Sequence, residues 1–169
     1  MYQIQNSDVN DIDEIFRLYQ IAREYQTSKY KVVWPKFERS LIENEIQNKH
    51  QWKLLLNGKI VCVWATTFND ALIWEERDKD PSLYIHRITT NPNFRGKNLV
   101  KKIVDWSLIF AKENNKKYVR LDTVGENKKL ITHYTKCGFT YLGLHELKNT
   151  QTLPAHYKID DVALFEIKI

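Results

Sequence analysis

Leu83-Tyr84-Ile85-His86-Arg87-Ile88-Thr89-Thr90, then Asn91-Pro92-Asn93, then Phe94-Arg95-Gly96-Lys97-Asn98-Leu99-Val100, is the stretch whose reading decides the fold. Its first part has the branched and aromatic residues of a strand. Asn91-Pro92-Asn93 is turn chemistry. The spacing predicts a helix opening between Phe94 and Val100, because Val100, Ile103, Val104, Ser107, Phe110 and Ala111 recur at helical intervals and Asn114-Asn115 can stop it. Tyr118-Val119-Arg120-Leu121-Asp122-Thr123-Val124 reads as the next strand. Strand, crossover helix and strand make a parallel pair, almost always right-handed. The helix start then lies at the carboxyl end of the first strand, where such sheets bind ligands.

A helix start offers free backbone N–H groups and the positive end of a dipole. Arg95, Lys97, Lys101 and Lys102 surround this one. Two readings are open: an anion site, most simply for phosphate, and a basic helix start that is merely solvated. Further on, Asn127 can cap a helix. Leu130, Ile131 and Tyr134 share one face of it, which by itself makes Tyr134 a core residue. Gly138 suits the C-terminal cap.

These two stretches together resemble the GNAT family of N-acetyltransferases. Arg95-Gly96-Lys97-Asn98-Leu99-Val100 is similar to the family's coenzyme A pyrophosphate loop, Gln/Arg-x-x-Gly-x-Gly/Ala. Asn98 stands where the family has glycine, and Val100 where it has glycine or alanine. Asparagine tolerates left-handed backbone better than most residues, whereas Val100 is expected to bring a branched side chain close to the phosphates. Asn127, followed by a helix and Tyr134-Thr135-Lys136-Cys137-Gly138-Phe139, resembles the family's later motif.

The resemblance implies an α/β fold: a central mixed sheet with a βαβ coenzyme A-binding core flanked by helices, in one domain over residues 1–169. It implies an acetyl-CoA-dependent acetyltransferase acting directly on an amine. The backbone of Ile88, Thr89 and Thr90 would hold the pantetheine arm, and that of Arg95, Gly96, Lys97, Asn98, Leu99 and Val100 the phosphates. Asn127 would contact the coenzyme as well as cap its helix. Tyr134 would be the general acid, since a phenol can donate to a departing thiolate.

Strand alternation predicts Tyr84, His86, Ile88 and Thr90 on one face, and histidine titrates near ~6.5. His86 is therefore the candidate general base, with Glu75 or Glu76 as the alternative. Cys137 would need an activating base to carry an acyl group, and His133 points elsewhere on the helix, so direct transfer is the expectation. No metal site is expected.

Bulk properties fit that reading. The chain has 169 residues, 43% hydrophobic and 28% charged, enough for a core in one soluble domain. No apolar run is long enough to span a bilayer. Met1 to Asp8 lacks the pattern of a secretion signal, and two cysteines, Cys62 and Cys137, make no disulfide framework, so the cytoplasm is the expected location. The formal net charge of +5 suits polyanions. Coenzyme A is one. Nucleic acid is another, but no recognition signature accompanies the charge. The partner expected is a small-molecule or peptide amine. The sequence leaves open a homodimer, and also a degenerate member that senses acyl-CoA without turnover.

Along the rest of the chain, Tyr2-Gln3-Ile4 reads as a short strand and Val9 to Tyr25 as a helix. Pro35 is placed to begin the next helix, with Phe37, Leu41, Ile42 and Ile46 on its apolar face. Tyr30 and Trp34, between these helices, can line the acceptor side or fill a core edge. Asn57-Gly58 between two apolar runs is a strong hairpin signal. Ala71-Leu72-Ile73-Trp74 is expected to continue as strand, and Glu75 to Pro81 as a charged loop, solvated or facing a cationic acceptor. Thr140 to Leu147 and Asp161 to Ile167 close the sheet, around a loop from Lys148 to Asp160.

Overall fold

A computed structural model describes residues 1–169. The chain runs through β1 (Tyr2–Asn6), α1 (Ile12–Lys29), α2 (Arg39–Gln47), β2 (Gln51–Leu56), β3 (Lys59–Thr67), the single turn α3 (Ala71–Trp74) and β4 (Ser82–Thr90). It continues with α4 (Leu99–Glu113), β5 (Tyr118–Val124), α5 (Lys128–Lys136), β6 (Thr140–His145) and β7 (Val162–Lys168). All seven strands form one sheet in the order β1-β2-β3-β4-β5-β7-β6. Only β4 and β5 are parallel; every other pair is antiparallel. Asn57 and Gly58 turn the β2–β3 hairpin with both φ angles positive, as a two-residue loop of this twist needs.

Pleat alternation sorts the two faces. Along β3, Cys62 and Trp64 join Leu83, Ile103, Val104 and Phe165 in the larger core under α4. Val63 points the other way and packs with Ile15, Leu18 and Tyr19 of α1 and Ile42 of α2.

Several expected boundaries move, each for a local reason. α1 runs on to Lys29 rather than ending near Tyr25, because Gln26-Thr27-Ser28 contains no breaker and the Thr27 and Ser28 hydroxyls bond back to the carbonyls of Arg23 and Tyr25. The next helix starts at Arg39, not at Pro35. The Trp34 N–H donates to the Gln26 side-chain oxygen Oε1, and Trp34 and Phe37 pack edge-on against Tyr19, which keeps this segment extended. Ala71–Trp74 is a helical turn instead of a strand. A strand would send Ile73 and Trp74 to opposite faces; the turn buries both in one cluster with Tyr84.

The helix after β4 begins at Leu99, within the expected Phe94–Val100 stretch. Gly96 and Asn98 have φ of 78° and 55°, a left-handed backbone through which no α-helix runs.

The largest departure lies in β4. Ala65 pairs with His86 and Val63 with Thr89, so Trp64 alone faces both Arg87 and Ile88. This is a β-bulge, and Arg87 at φ 52° is its left-handed residue. The extra residue reverses the alternation. Tyr84 packs beside Trp74 and Val162, while Ile88 packs under α4 with Leu83 and Ile85. Thr90 joins that side through Cys62 Sγ at 3.6 Å. Tyr84, His86, Ile88 and Thr90 therefore do not share a face.

Candidate active site

β4 and β5 pair only at Ser82–Tyr118, Leu83–Val119 and Tyr84–Arg120. Beyond Tyr84 the strands separate, and a cavity of about 820 Å³ opens over the gap. Its walls come from β4 and β5, from the segment after α1 with Tyr30 and Trp34, from the start of α5, and from the β6–β7 connection with His156 and Tyr157. His86, Ile88, Thr89, Thr90, Arg95, Asn127 and Tyr134 all line it. Tyr30 and Trp34 both line the cavity, and Trp34 also packs in the α1–α2 core.

The bulge is held from outside the sheet. The Arg87 guanidinium pairs with Glu45 of α2, donates to the Tyr19 hydroxyl at 3.3 Å and lies 5.1 Å from the Phe37 ring centre. The Thr89 hydroxyl donates to the Arg87 carbonyl at 3.0 Å.

Gly96, Lys97, Asn98, Leu99 and Val100 do not line the cavity; they form the turn and first residues of α4 beside Arg95. A Cβ placed on Gly96 would meet nothing within 4 Å, so the loop faces open space. No side chain caps α4, which leaves its first N–H groups free for an anion. Asn98 adopts the left-handed backbone that glycine would supply. Val100 is half-buried and packs against the core under α4. Lys101 pairs with Asp105, and Lys102 lies over the Tyr2 ring at 4.4 Å, so both turn away from the loop. Lys128 and Lys129 line the cavity mouth instead, a placement that sequence spacing did not reveal.

The Asn127 side chain accepts from the N–H groups of Lys129 and Leu130, at 3.1 and 3.2 Å, and so caps α5. Tyr134, two turns further on, packs against Phe139 and Phe165 with ring centres at 6.0 and 5.4 Å. Burial raises its pKa well above the ordinary phenol value, so it stays protonated across the physiological range. Gly138, at φ 110°, ends α5 after Cys137, and the Phe139 N–H closes the turn onto the Tyr134 carbonyl.

His86 is mostly buried, and desolvation pushes its pKa down to about 3, with the Arg87 charge adding to the effect. It is neutral at pH 7 but a far weaker base than an ordinary imidazole. Its Nε2 lies 3.6 Å from Asp70 Oδ2 and 3.4 Å from Thr67 Oγ1. Asp70 is itself pushed up to about 8 by burial, reinforced by the carboxylates of Asp122 and Asp78. Burial raises Asp122 to about 6, against a hydrogen bond from the Tyr157 hydroxyl at 2.8 Å. Glu75 and Glu76 are elsewhere. Glu75 binds His145 and Lys148, and Glu76 pairs with Lys79. The charged turn around them is structural: Asp78 accepts from the Asp70 N–H, and Asp80 pairs with Arg120. Cys137 is buried in the core under α4 and does not line the cavity.

Sequence reading missed Asp70, Asp122, His156 and Tyr157. Asp122 carried a signal, a carboxylate between Leu121 and Thr123 inside a strand. Asp70 carried none, because only the fold brings the end of β3 beside β5.

Among solved structures, a GNAT-family acetyltransferase of Listeria monocytogenes superposes with TM-score 0.79 at 18% identity, over 99% of this chain and 95% of its own. A protein of Salmonella typhimurium solved with its cofactor acetyl-CoA gives 0.69 at 12%, over 99% and 94%. At such identity these likenesses speak for the fold alone. An uncharacterized N-acetyltransferase of Bacillus subtilis is 26% identical over 74 residues, covering 44% of this chain and 41% of that protein. Another, of Methanocaldococcus jannaschii, is 27% identical over 140 residues, 82% of this chain and 60% of that protein. The chain thus matches less than two thirds of the length of either curated relative. Residues 13–139, well over half of the chain, match the Acetyltransferase (GNAT) family, and the chain belongs to that family.

Proposed function

We propose that this chain transfers an acetyl group from acetyl-CoA directly to an amine. The observation that carries the reading is the gap between β4 and β5, which gathers His86, Ile88 to Thr90, Arg95, Asn127 and Tyr134 around one cavity. Bound there, acetyl-CoA would supply an acetyl thioester.

The residues divide the work by position. Unpaired peptide groups of Ile88, Thr89 and Thr90 facing the gap align the pantetheine arm as a neighbouring strand would. The free N–H groups at the start of α4, with Arg95, Gly96, Lys97, Asn98, Leu99 and Val100 around them, bind the pyrophosphate. The Asn127 amide has Nδ2 left to donate once its oxygen caps α5. Tyr134 gives the departing sulfur a proton, and neutral His86 passes one on from the amine rather than storing it. Residues 1–169 act as one N-acetyltransferase domain, supported by a sheet that takes strands from both ends of the chain. The two cysteines are free and buried, which supports a reducing setting such as the cytoplasm. No helix is long and apolar enough to cross a membrane.

The test is Tyr134→Phe, which removes only the hydroxyl. Thiol release with an amine panel should fall at least about tenfold, since general acid catalysis is worth about 10²–10⁴ and water can partly substitute. Acetyl-CoA affinity by calorimetry should hold. Unchanged turnover would make Tyr134 a packing residue. Wild-type protein that binds acetyl-CoA yet acetylates no amine would be a sensor.

A further inference from the structure

The cavity gathers titratable groups that the acetyl donor does not use. Asp70, His86 and Asp122 each present one polar atom there, all within 4.8 Å of one another. Asp70 Oδ2 is buried and accepts no hydrogen bond. Arg87, close enough to depress His86, is already committed to Glu45. A second observation is independent of this trio. His156 lines the same cavity from the β6–β7 connection, is only 7% exposed, and leaves its Nδ1 without a partner. Burial holds His156 down to about 4, so both imidazoles are neutral at pH 7. Two buried carboxylates without a cation either keep a proton or take up a positive ligand.

We propose that Asp70 and Asp122 form the ammonium subsite of the acceptor, with His156 adding a neutral hydrogen-bonding nitrogen, and that the cavity takes an aliphatic primary amine with no carboxylate beside its ammonium. The aromatic wall of Tyr25, Tyr30 and Trp34 suits an alkyl chain behind a cation. An α-amino acid would press its own carboxylate against the two already there. The inference rests on the acetyl-transfer reading for its chemistry, though not for binding.

In that chemistry Asp70 gives up its proton to water as the ammonium binds, and neutral His86, 3.6 Å from Asp70 Oδ2, passes one proton from the ammonium on to Asp70 and so frees the nitrogen lone pair. A C–N bond forms at the acetyl carbonyl, the C–S bond breaks, and its electron pair leaves on sulfur, which Tyr134 protonates. The nitrogen loses a second proton, which restores Tyr134, and Asp70 is left protonated as it began. One proton is released for each acetyl group moved.

The probes are n-pentylamine hydrochloride, norleucine (the same amine with a carboxylate beside it) and sodium pentanoate. Pentylamine should raise the melting temperature of the full chain; norleucine and pentanoate should not. Asp70→Asn and Asp122→Asn should each weaken pentylamine binding, and its kcat/KM with acetyl-CoA, at least about tenfold, with acetyl-CoA affinity unchanged. Equal binding of norleucine or pentanoate overturns the proposal, and needs no variant to fold. So does pentylamine binding that both variants retain, or tight Mn²⁺ binding that pentylamine fails to compete. Aspartate-dependent pentylamine binding in a protein that does not bind acetyl-CoA would sink acetyl transfer and leave the subsite standing. Acetylation indifferent to both aspartates would do the reverse.

Discussion

A carboxyl kept from water prefers its proton. Asp70 is pushed up to about 8, while an unfolded aspartate titrates near ~3.9. Between those values the folded chain holds a proton that the unfolded chain has released. The stability this confers is full below about pH 4 and is lost as pH rises through about 8. Asp122, raised to about 6, acts with the same sign over a narrower window. His86 and His156, held near 3 and 4, act oppositely and cost stability as pH falls below the ordinary histidine value of ~6.5. Asp70→Asn keeps the shape and removes the titration. Without ligand it should melt above wild type at pH 8 and lose that advantage at pH 4. In a domain of this size each kcal/mol relieved reads as about 2–4 °C. An equal shift at both pH values would assign the effect to packing. Val100 makes a second point at this scale. Its side chain packs into the core, so Val100→Gly should cost about 1–3 kcal/mol in urea unfolding without tightening acetyl-CoA binding. Tighter binding would return that side chain to the phosphates.

At the scale of elements, the bulge in β4 decides which groups reach the cavity. Arg87 holds it by reaching across to α1 and α2. Arg87→Ala would leave Glu45 buried and unpaired, at a cost of about 3–5 kcal/mol, and Glu45→Gln added to it should recover part of that loss. Strictly additive losses in urea unfolding would show that the pair is not coupled. The bulge was invisible in the sequence, because Arg87 is neither glycine nor asparagine and nothing else marks a left-handed residue there. Elements were legible where a local rule decides them: the Asn57-Gly58 hairpin, the Asn127 cap, the periodic stripe of α4. They were misread where burial outvotes pattern, as in Ala71–Trp74, whose apolar run looks like strand until Trp74 and Tyr84 are seen together. The coenzyme-side positions were legible because they are contiguous in sequence. The acceptor side was not, since Asp70, Asp122 and His156 meet only through the sheet.

Over the whole molecule, the order of strands and helices was readable, with α3 the one addition. Arg120 shows what was not. It looked like a charged residue in a strand, yet it is only 1% exposed and bonds to Glu166, Asp80, Ser82 and the Arg77 carbonyl, between the rings of Trp74 and Tyr118. It ties β4 and β5 together where they are paired, directly below the point at which they part. Above that point the sheet carries two strand edges in its own interior. An edge on the outside of a protein recruits other chains. These two face each other across the cavity, walled by the segment after α1 and by the β6–β7 connection. Each is backed by its own partner, β3 behind β4 and β7 behind β5, so neither lies at the rim of the sheet. The strand pairing left unmade between them is open only to what enters the cavity.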